Sequence, residues 1–360
     1  MVRVGLVGTS WWADSMYLPA LADHRDGAIT ALCGRDLDKA RELAARWGVA
    51  EVYTDPDEMI DHVDAVIVAS SNATHHPISM AAIAAGRAVL CEKPLGLDAT
   101  QADELARAAA AAGVTTMTPF TYRFMPVVRE LHHRIDSGFI GTPYHMAARY
   151  YTGYARDGAY HWRFDRAESG SGVLGDLGTH WVDLALYLLG PISEVSAITS
   201  ATVPRAPRPD GSDYEAGEDV AFMTVRFASG AIGQLTVSAV CWEGTAFNQT
   251  HHIEVHGSAG TLYAVNDWDT TQEIRAVIDP GTPSALERTP EIWAGLRTDT
   301  VHNTYRDVFR TTEAMTRGWV SAVARAEAVQ PDLAHGARVQ RIIDRALQSA
   351  ELGGMMLSVD

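Results

Sequence analysis

The stretch Ala88-Val89-Leu90-Cys91-Glu92-Lys93-Pro94 has the pattern of a short buried strand that ends abruptly in two charged residues and a proline. In an open parallel sheet, ligands bind beyond the carboxyl ends of the strands. Lys93 stands at such an end, and we predict that it belongs to a functional site. A plainer interpretation also fits this spacing, in which the lysine extends from the strand end into solvent.

Strand and helix patterns alternate on both sides of this stretch. The predicted strands are 2–8, 29–33, 65–69, 88–91 and 115–118, and the predicted helices are 13–22, 37–47, 77–85 and 99–112. This spacing is typical of β-α-β units, which require a parallel sheet. We therefore predict an α/β chain with an N-terminal, doubly wound Rossmann domain over residues 1–120. Strand-like runs dominate beyond it, which predicts an α+β domain with a large, mostly antiparallel open sheet over residues 121–360.

The composition restricts the class of protein. With 360 residues the chain is long enough for two domains, and 47% hydrophobic with 21% charged residues is typical of a soluble globular protein. The net charge of −16 and the lack of a basic run argue against nucleic acid and anionic membranes as partners. No stretch approaches the roughly 18 apolar residues of a membrane span. Three widely spaced cysteines and an N-terminus without a signal-like apolar region predict a reduced, cytoplasmic protein.

The loop after the first predicted strand reads Gly8-Thr9-Ser10-Trp11-Trp12-Ala13. A strand, a glycine turn and a helix form the usual beginning of a dinucleotide-binding domain, where backbone N–H groups and the helix N-terminus hold a pyrophosphate. Here Ser10 and Ala13 replace the second and third glycines of the fingerprint, and two tryptophans make the loop unusually bulky. The loop residues that we predict to bind the cofactor are Gly8, Thr9, Ser10, Trp11 and Trp12.

The end of the second strand contacts the adenosine ribose in such domains, where an acidic residue accepts from the 2′-hydroxyl. This chain has Cys33-Gly34-Arg35-Asp36 at that position. Gly34 removes side-chain bulk, and Arg35 supplies a cation suited to a 2′-phosphate, although it could also be a solvated surface charge. Asp36 comes late and fits an N-cap of the next helix. We therefore predict NADP as the favoured cofactor, with NAD as the alternative.

Polar residues also follow the third predicted strand. Ser70, Asn72 and His75 are predicted to contact the cofactor, whereas an Asx turn and a histidine at a helix N-terminus are the structural alternatives for the last two. No metal site is predicted, because none of the histidine pairs has a cysteine or carboxylate partner at ligand spacing. These pairs are His75-His76, His132-His133 and His251-His252.

Residues beyond 120 provide a second group of candidates. Arg123 lies in an aromatic and basic segment, and the long stretch 152–172 is rich in such side chains, among them Tyr154, Trp162 and Arg163. Long loops inside compact domains are usually functional or disordered, and the aromatic content argues against disorder. Aromatic rings beside polar groups suit a sugar-like ligand.

Asp176 and His180 are four positions apart and therefore share one face of a predicted helix. A carboxylate beside an imidazole can hold its tautomer and raise its basicity, as acid/base chemistry requires. A capping aspartate with a half-buried histidine is the structural alternative.

Taken together, these residues resemble the Gfo/Idh/MocA family of NAD(P)-dependent oxidoreductases over nearly the whole chain. The pair Glu-Lys-Pro and Asp-x-Gly-x-His, in this order, is specific, whereas the glycine loop alone is not. The motifs that carry the resemblance are the Gly8 loop, Asp64-Ala65-Val66 leading to Asn72 and His75, Glu92-Lys93-Pro94, Tyr122-Arg123-Phe124, Trp162-Arg163, and Gly175-Asp176-Leu177-Gly178-Thr179-His180.

The resemblance implies hydride transfer between a nicotinamide and a secondary alcohol or ketone of a sugar, polyol or related compound. It implies that Lys93 is a catalytic acid/base, with His180 as its partner or as the acid/base itself, and that Asp176 binds or orients the substrate. It adds Glu92, Lys93, Arg123, Trp162 and Arg163 as cofactor-binding candidates. The substrate-binding candidates are Lys93, Arg123, Tyr154, Trp162, Asp176, Thr179 and His180. A homodimer or homotetramer, formed through the outer sheet face, is the expected assembly.

Two other functions fit the same motifs. One is a glycoside-cleaving enzyme with tightly bound NAD, in which transient oxidation acidifies a neighbouring C–H bond. The other is a nucleotide-binding sensor without turnover, although a sensor needs to keep neither Lys93 nor His180. Net consumption of cofactor distinguishes a dehydrogenase from the first alternative.

Overall fold

The computed structural model describes residues 1–245, 248–278 and 281–359. The chain divides into two compact units. The N-terminal unit contains residues 1–120 and 306–340, and the C-terminal unit contains residues 121–305 and 341–360. The predicted division after residue 120 coincides with this boundary, whereas 306–340 was predicted in the second domain and groups with the first.

The described part of the N-terminal unit contains a parallel sheet in the order β3-β2-β1-β4-β5-β6. Its strands are β1 (Val2–Val7), β2 (Gly27–Cys33), β3 (Glu51–Tyr53), β4 (Ala65–Val68), β5 (Ala88–Cys91) and β6 (Thr116–Met117). The intervening helices are α1 (Leu18–Leu21), α2 (Leu37–Trp47), α3 (Pro56–Ile60), α4 (Asn72–Ala84) and α5 (Ala99–Ala112). The strand order reverses between β1 and β4, where open α/β sheets bind their ligands. This topology confirms the predicted Rossmann fold.

Local capping signals set the ends of these helices. The side chain of Asp36 accepts a hydrogen bond from the backbone N–H of Lys39 at 3.1 Å, which is the predicted N-cap of α2. Asp98 caps α5 in the same way. Gly48 ends α2 with a φ of 69°, a left-handed conformation that glycine adopts without steric cost.

The C-terminal unit is built on an open sheet in the order β14-β13-β12-β11-β7-β10-β9-β8-β15. All neighbours in this order pair antiparallel except β7 and β10, which confirms the predicted, mostly antiparallel sheet. The strands are β7 (Pro143–Tyr151), β8 (Ile192–Ser200), β9 (Val220–Phe227), β10 (Ile232–Ser238), β11 (Thr250–Gly257), β12 (Gly260–Val265), β13 (Glu273–Val277), β14 (Ser284–Ala285) and β15 (Leu357–Ser358). The helices are α6 (Pro126–Asp136), α7 (Arg166–Ser169), α8 (Thr179–Leu189) and α9 (Pro290–Trp293).

The two faces of this sheet differ. Buried and exposed residues alternate along β9, and α8 contacts β7 and β10. Because β7 and β10 are parallel, their carboxyl ends lie at the same sheet edge. The chain segments that directly follow these two strands, 152–171 and 239–245, therefore leave the sheet side by side.

Three further helices follow β14 and α9, namely α10 (Val301–Arg310), α11 (Thr316–Arg325) and α12 (Leu333–Glu351). Residues 306–340 group with the N-terminal unit because they pack against its first strands and helix. Arg310 donates to the carbonyl of Ser15 at 2.7 Å. Gly27 and Val320 are in close contact. A Cβ atom at Gly27 would lie 2.6 Å from the side chain of Val320. No local pattern indicates such a contact between residues almost 300 positions apart.

Candidate active site

The loop after β1 has the geometry of a pyrophosphate-binding turn. Gly8 has a φ of +123°, and a Cβ atom at this position would lie 2.3 Å from the carbonyl oxygen of Ala69. Only glycine fits such a conformation and such a close approach. A helical run begins at Trp11, and helix N-termini are positions at which proteins bind anions. The loop therefore fits the pyrophosphate of a dinucleotide despite Ser10.

Trp12 connects this loop to the end of β5. Its indole N–H donates to Glu92 at 2.8 Å, and the hydroxyl of Tyr17 donates to the same carboxylate oxygen at 2.5 Å. The Trp12 ring also packs edge-on against Phe309, with the ring centroids 5.5 Å apart. Burial raises the pKa of Glu92. The bulk of Trp12 thus serves packing within the unit, whereas Trp11 is 65% exposed.

Lys93 lies in a turn whose backbone is held on both sides. Its own N–H donates to the carboxylate of Glu92 at 3.3 Å. The Nδ1 atom of His75 lies 2.7 Å from the carbonyl oxygen of Pro94, and its Nε2 lies 3.3 Å from that of Ser70. Burial lowers the pKa of His75 to about 4, so the ring is neutral at pH 7 and donates one proton, best placed on the shorter bond. His75 therefore supports the Lys93–Pro94 turn from inside the unit.

The other two residues predicted beyond β4 lie at the start of α4. Asn72 is the first residue of this helix and is buried, so the helix begins five residues before the predicted start at 77. The hydroxyl of Ser70 lies 2.7 Å from that of Thr74. Both residues thus stand at the carboxyl end of β4, the edge at which a Rossmann sheet binds its ligand.

The tip of β2 offers a second explanation for Gly34. A Cβ atom at this position would lie 2.6 Å from Cγ2 of Thr9 in the glycine loop. Close packing of two loops therefore accounts for this glycine independently of the cofactor. Arg35 is exposed at the strand end, and Asp36 is occupied as the cap of α2.

In the C-terminal unit, Asp176 is the acceptor of a polar cluster. It lies in a π-helical turn, Leu174–Gly178, which leads directly into α8. Its carboxylate accepts from the hydroxyl of Tyr154 at 2.6 Å and from Nε of Arg163 at 3.2 Å. Burial and the charge of Asp176 raise the pKa of Tyr154 well above its ordinary range, so this hydroxyl stays a donor. The structure thus brings loop 152–171 onto Asp176.

Glu218, which sequence reasoning missed, holds the start of this turn. Its side chain is buried, and one carboxylate oxygen accepts from the backbone N–H groups of Gly172 at 2.9 Å and Leu174 at 3.0 Å. Burial raises the pKa of Glu218. The segment around it appears polar and loop-like in the sequence, and nothing in it indicates a cap for residues more than 40 positions earlier.

His180 lies on α8 and packs edge-on against Tyr122, with the ring centroids 4.8 Å apart. The hydroxyl of Tyr122 lies 2.9 Å from that of Tyr150 and accepts from Gln249 at 3.0 Å. His251 lies at 4.7 Å from the same ring, and burial lowers the pKa of His251 well below its ordinary value. Two histidines therefore flank one buried tyrosine, an arrangement that the sequence did not reveal.

The remaining predicted residues have partners within the C-terminal unit. Arg123 is buried and forms a two-pronged ion pair with Asp183, in which Nε donates at 3.0 Å. The hydroxyl of Thr179 donates to the carbonyl of Gly175 at 2.9 Å. The guanidinium of Arg163 lies 4.5 Å from the ring centroid of Trp162, which keeps this tryptophan beside the Asp176 cluster.

Grouped metal ligands and membrane-spanning helices are absent from the described ranges 1–245, 248–278 and 281–359. In these ranges, no three His, Cys, Asp or Glu side chains are grouped so that they could hold a metal ion. None of the helices in the same ranges offers an apolar stretch long enough to cross a membrane. The three cysteines are free thiols, and Cys33 and Cys91 are buried.

Comparison with known proteins identifies the class. Residues 2–120 match the oxidoreductase family with an NAD-binding Rossmann fold, and residues 128–263 match the GFO/IDH/MocA C-terminal domain. The fold and the glycine loop thus define an oxidoreductase with an NAD-binding Rossmann domain. This chain belongs to the Gfo/Idh/MocA family.

Three similar proteins illustrate the relationship. Levoglucosan dehydrogenase of Pseudarthrobacter phenanthrenivorans is 30% identical over 243 residues, which cover 62% of this chain and 61% of that protein. Myo-inositol 2-dehydrogenase of Thermotoga maritima is 31% identical over 274 residues, which cover 75% of this chain and 77% of that protein. The solved structure of a levoglucosan dehydrogenase with NADH and L-sorbose has a TM-score of 0.86 and 24% identity, covering 100% of this chain and 99% of that one. At this identity, the last comparison shows the fold alone.

Proposed function

We propose that this protein is an NAD(P)-dependent dehydrogenase or reductase that acts on a secondary alcohol or ketone of a sugar or polyol. The observation that carries the proposal is the Lys93 turn, fixed by Glu92 and His75 at the carboxyl end of a strand in a dinucleotide-binding sheet. The names of the two relatives above, a sugar and a polyol dehydrogenase, support this substrate class. When bound, the nicotinamide supplies the hydride acceptor or donor.

The proposed acid/base groups are Lys93 and His180. Oxidation of an alcohol requires a base for the hydroxyl proton, and reduction requires the same group as an acid. The chain has two lysines, Lys39 and Lys93, among 29 basic residues, so arginine supplies nearly every other cation. Arginine cannot release its proton in this way. A lysine at position 93 therefore supports a proton-transfer role. Asp176, oriented by Tyr154 and Arg163, would bind substrate hydroxyls.

The test is a panel of sugars and polyols with NAD⁺ and NADP⁺, followed at the nicotinamide absorbance. On the best substrate, Lys93→Met should lower kcat about 10²–10⁴-fold while cofactor binding stays close to that of the wild type. His180→Ala should cause a comparable loss, and the double variant should lose much less than the product of the two. Lys39→Met, at an exposed position on α2, is the matched control and should keep the wild-type kcat.

Near-wild-type turnover by Lys93→Met would exclude this mechanism. Turnover of glycosides without net change in nicotinamide absorbance would instead favour the glycoside-cleaving alternative. Binding of dinucleotide without turnover of any compound would favour a sensor.

NADP is the cofactor that we favour, because the exposed guanidinium of Arg35 at the tip of β2 suits a 2′-phosphate. Arg35→Ala should raise KM for NADP⁺ about ten- to a hundredfold, the effect of losing a contact of roughly 1.5–3 kcal/mol. KM for NAD⁺ should change little. Arg41→Ala, an exposed arginine of α2 that lies 3.9 Å from Asp38, is the control. Equal effects on both cofactors, or a wild type that prefers NAD⁺, would contradict this assignment.

We also propose a cytoplasmic homodimer or homotetramer assembled through the outer face of the C-terminal sheet. Ile198 and Phe222 lie opposite each other on β8 and β9 of this face and are 68% and 48% exposed. A covered face would remove this apolar surface from water. Sedimentation equilibrium should give a mass of two or four chains, and a monomer at micromolar concentration would refute the assembly.

A further inference from the structure

Trp242 is an unusually exposed tryptophan. Its side chain is 85% accessible to solvent, although tryptophan is among the side chains that bury most surface on average. It lies in the segment 239–245, which leaves the C-terminal sheet beside loop 152–171. The residues around Trp242 form contacts that restrict its position.

Both sequence neighbours of Trp242 are fixed to the sheet. The backbone N–H of Cys241 donates to the carbonyl of Thr152 at 2.8 Å. The carboxylate of Glu243 accepts from Thr250 at 2.9 Å and lies 3.5 Å from Arg149. With anchors on both sides, the backbone at residue 242 has little freedom. The indole is therefore held at the surface in one place.

One face of the indole is supported by a cation. The guanidinium carbon of Arg156 lies 3.4 Å from the centroid of the Trp242 ring, a close cation–π stack. Arg156 is itself fixed, because its Nε donates to the carbonyl of Gly153 at 3.1 Å. Arg156 contacts one face of the indole, and at 85% exposure most of Trp242 remains open to solvent. The open surface of the indole is flat, apolar and pre-oriented.

The same short segment joins this surface to the Asp176 cluster. The hydroxyl of Tyr154 donates to Asp176 at 2.6 Å. In the sequence, Tyr154 lies between Gly153 and Arg156, and the carbonyl of Gly153 holds the Arg156 side chain that stacks on Trp242. Packing here is tight, since a Cβ atom at Gly153 would lie 2.5 Å from the carbonyl oxygen of Cys241. Residues 153–156 thus contact both the polar cluster, through Tyr154, and the indole, through Arg156.

We propose that Trp242 is a stacking surface for a second sugar ring, so that the preferred substrates are glycosides or disaccharides rather than single rings. This inference rests on the proposed function, in which Asp176 binds the hydroxyls of the ring that reacts. A pyranose ring presents an apolar C–H face, which suits an exposed indole, and a hydroxyl edge, which suits a carboxylate. Two such features joined by one short segment match a substrate of two linked rings.

The experiment compares kcat/KM for glucose, its methyl glycosides, maltose and cellobiose, in the wild type and three variants. In the wild type, at least one two-ring sugar should be the better substrate. Trp242→Ala should lower kcat/KM for that sugar about tenfold, which corresponds to about 1.4 kcal/mol, and leave the value for the single ring unchanged. Trp242→Phe should retain most of the preference. Tyr144→Ala, which removes a 58% exposed aromatic ring at the start of β7, is the control and should change neither value.

The outcomes separate this inference from the proposed function. Turnover of single rings only, or a preference for two rings that survives Trp242→Ala, overturns the inference and leaves the function intact. The absence of turnover with every sugar and polyol overturns the proposed function and the inference with it. A change in sedimentation mass on Trp242→Ala would show that the indole contacts a second copy of the chain, which also overturns the sugar-binding role.

Discussion

The buried His75 should make the stability of this protein depend on pH in a defined window. Burial lowers the pKa of His75 from its ordinary 6.5 to about 4 in the folded state. Between these values the unfolded chain binds the proton and the folded chain does not, so the free energy of unfolding falls as the pH decreases through this window. Because one pKa unit corresponds to 1.36 kcal/mol, the full effect is about 3 kcal/mol below pH 4.

The perturbation is His75→Gln, which keeps a donor for the carbonyl of Pro94 but cannot titrate. We expect the wild type to lose about 3 kcal/mol more than this variant between pH 7 and pH 4. Urea unfolding at several pH values, followed by far-ultraviolet circular dichroism, measures this difference. Ile78→Val, a buried change on the same helix, is the control and should lower stability by about 0.5–1.5 kcal/mol equally at all pH values. Parallel pH curves for the wild type and His75→Gln would refute the reasoning.

Two further predictions concern the C-terminal unit. Arg123→Met should lower the free energy of unfolding by about 3–5 kcal/mol, because Asp183 would be left buried without its partner. The double variant Arg123→Met/Asp183→Leu removes both charges and should recover most of this loss. Thermal unfolding measures both, and a single variant as stable as the wild type would contradict the buried ion pair. Tyr154→Phe should raise the substrate KM about three- to tenfold, because Asp176 loses one donor, while the cofactor KM stays constant. Steady-state kinetics with unchanged substrate KM would show that this hydrogen bond does not orient Asp176.

The fold of residues 1–120 was predictable because its elements carry local signals. Asp36 caps the helix that begins at the next residue, and Gly48 and Gly113 end their helices with φ angles of 69° and 66°. These interactions join residues close in sequence, so they are visible in the sequence itself. Strand patterns alternate with helix patterns along this part of the chain. Each strand is therefore connected to the next by a helix, which predicts a parallel sheet.

The candidate site was only partly predictable because its geometry depends on partners distant in sequence. Trp12, which is predicted to contact the cofactor, also donates to Glu92, 80 positions away, and the sequence carries no local signal for this bond. Arg123, which is predicted to contact a ligand, also pairs with Asp183, 60 positions away. The support from Glu218 for the Asp176 turn has no signal in sequence. For the same reason, the return of 306–340 to the first unit could not be inferred from local patterns.

The contact between Gly34 and Thr9 has a consequence for how coenzyme preference can change over evolutionary time. An aspartate at position 34 is the direct way to offer an acceptor for a free ribose hydroxyl. Its Cβ atom would lie 2.6 Å from Cγ2 of Thr9, so the Thr9 side chain would have to move to admit it. Thr9→Ser removes that methyl group and keeps the hydroxyl. A change of coenzyme through residue 34 is therefore coupled to the side chain at residue 9, and laboratory redesign should vary the two positions together.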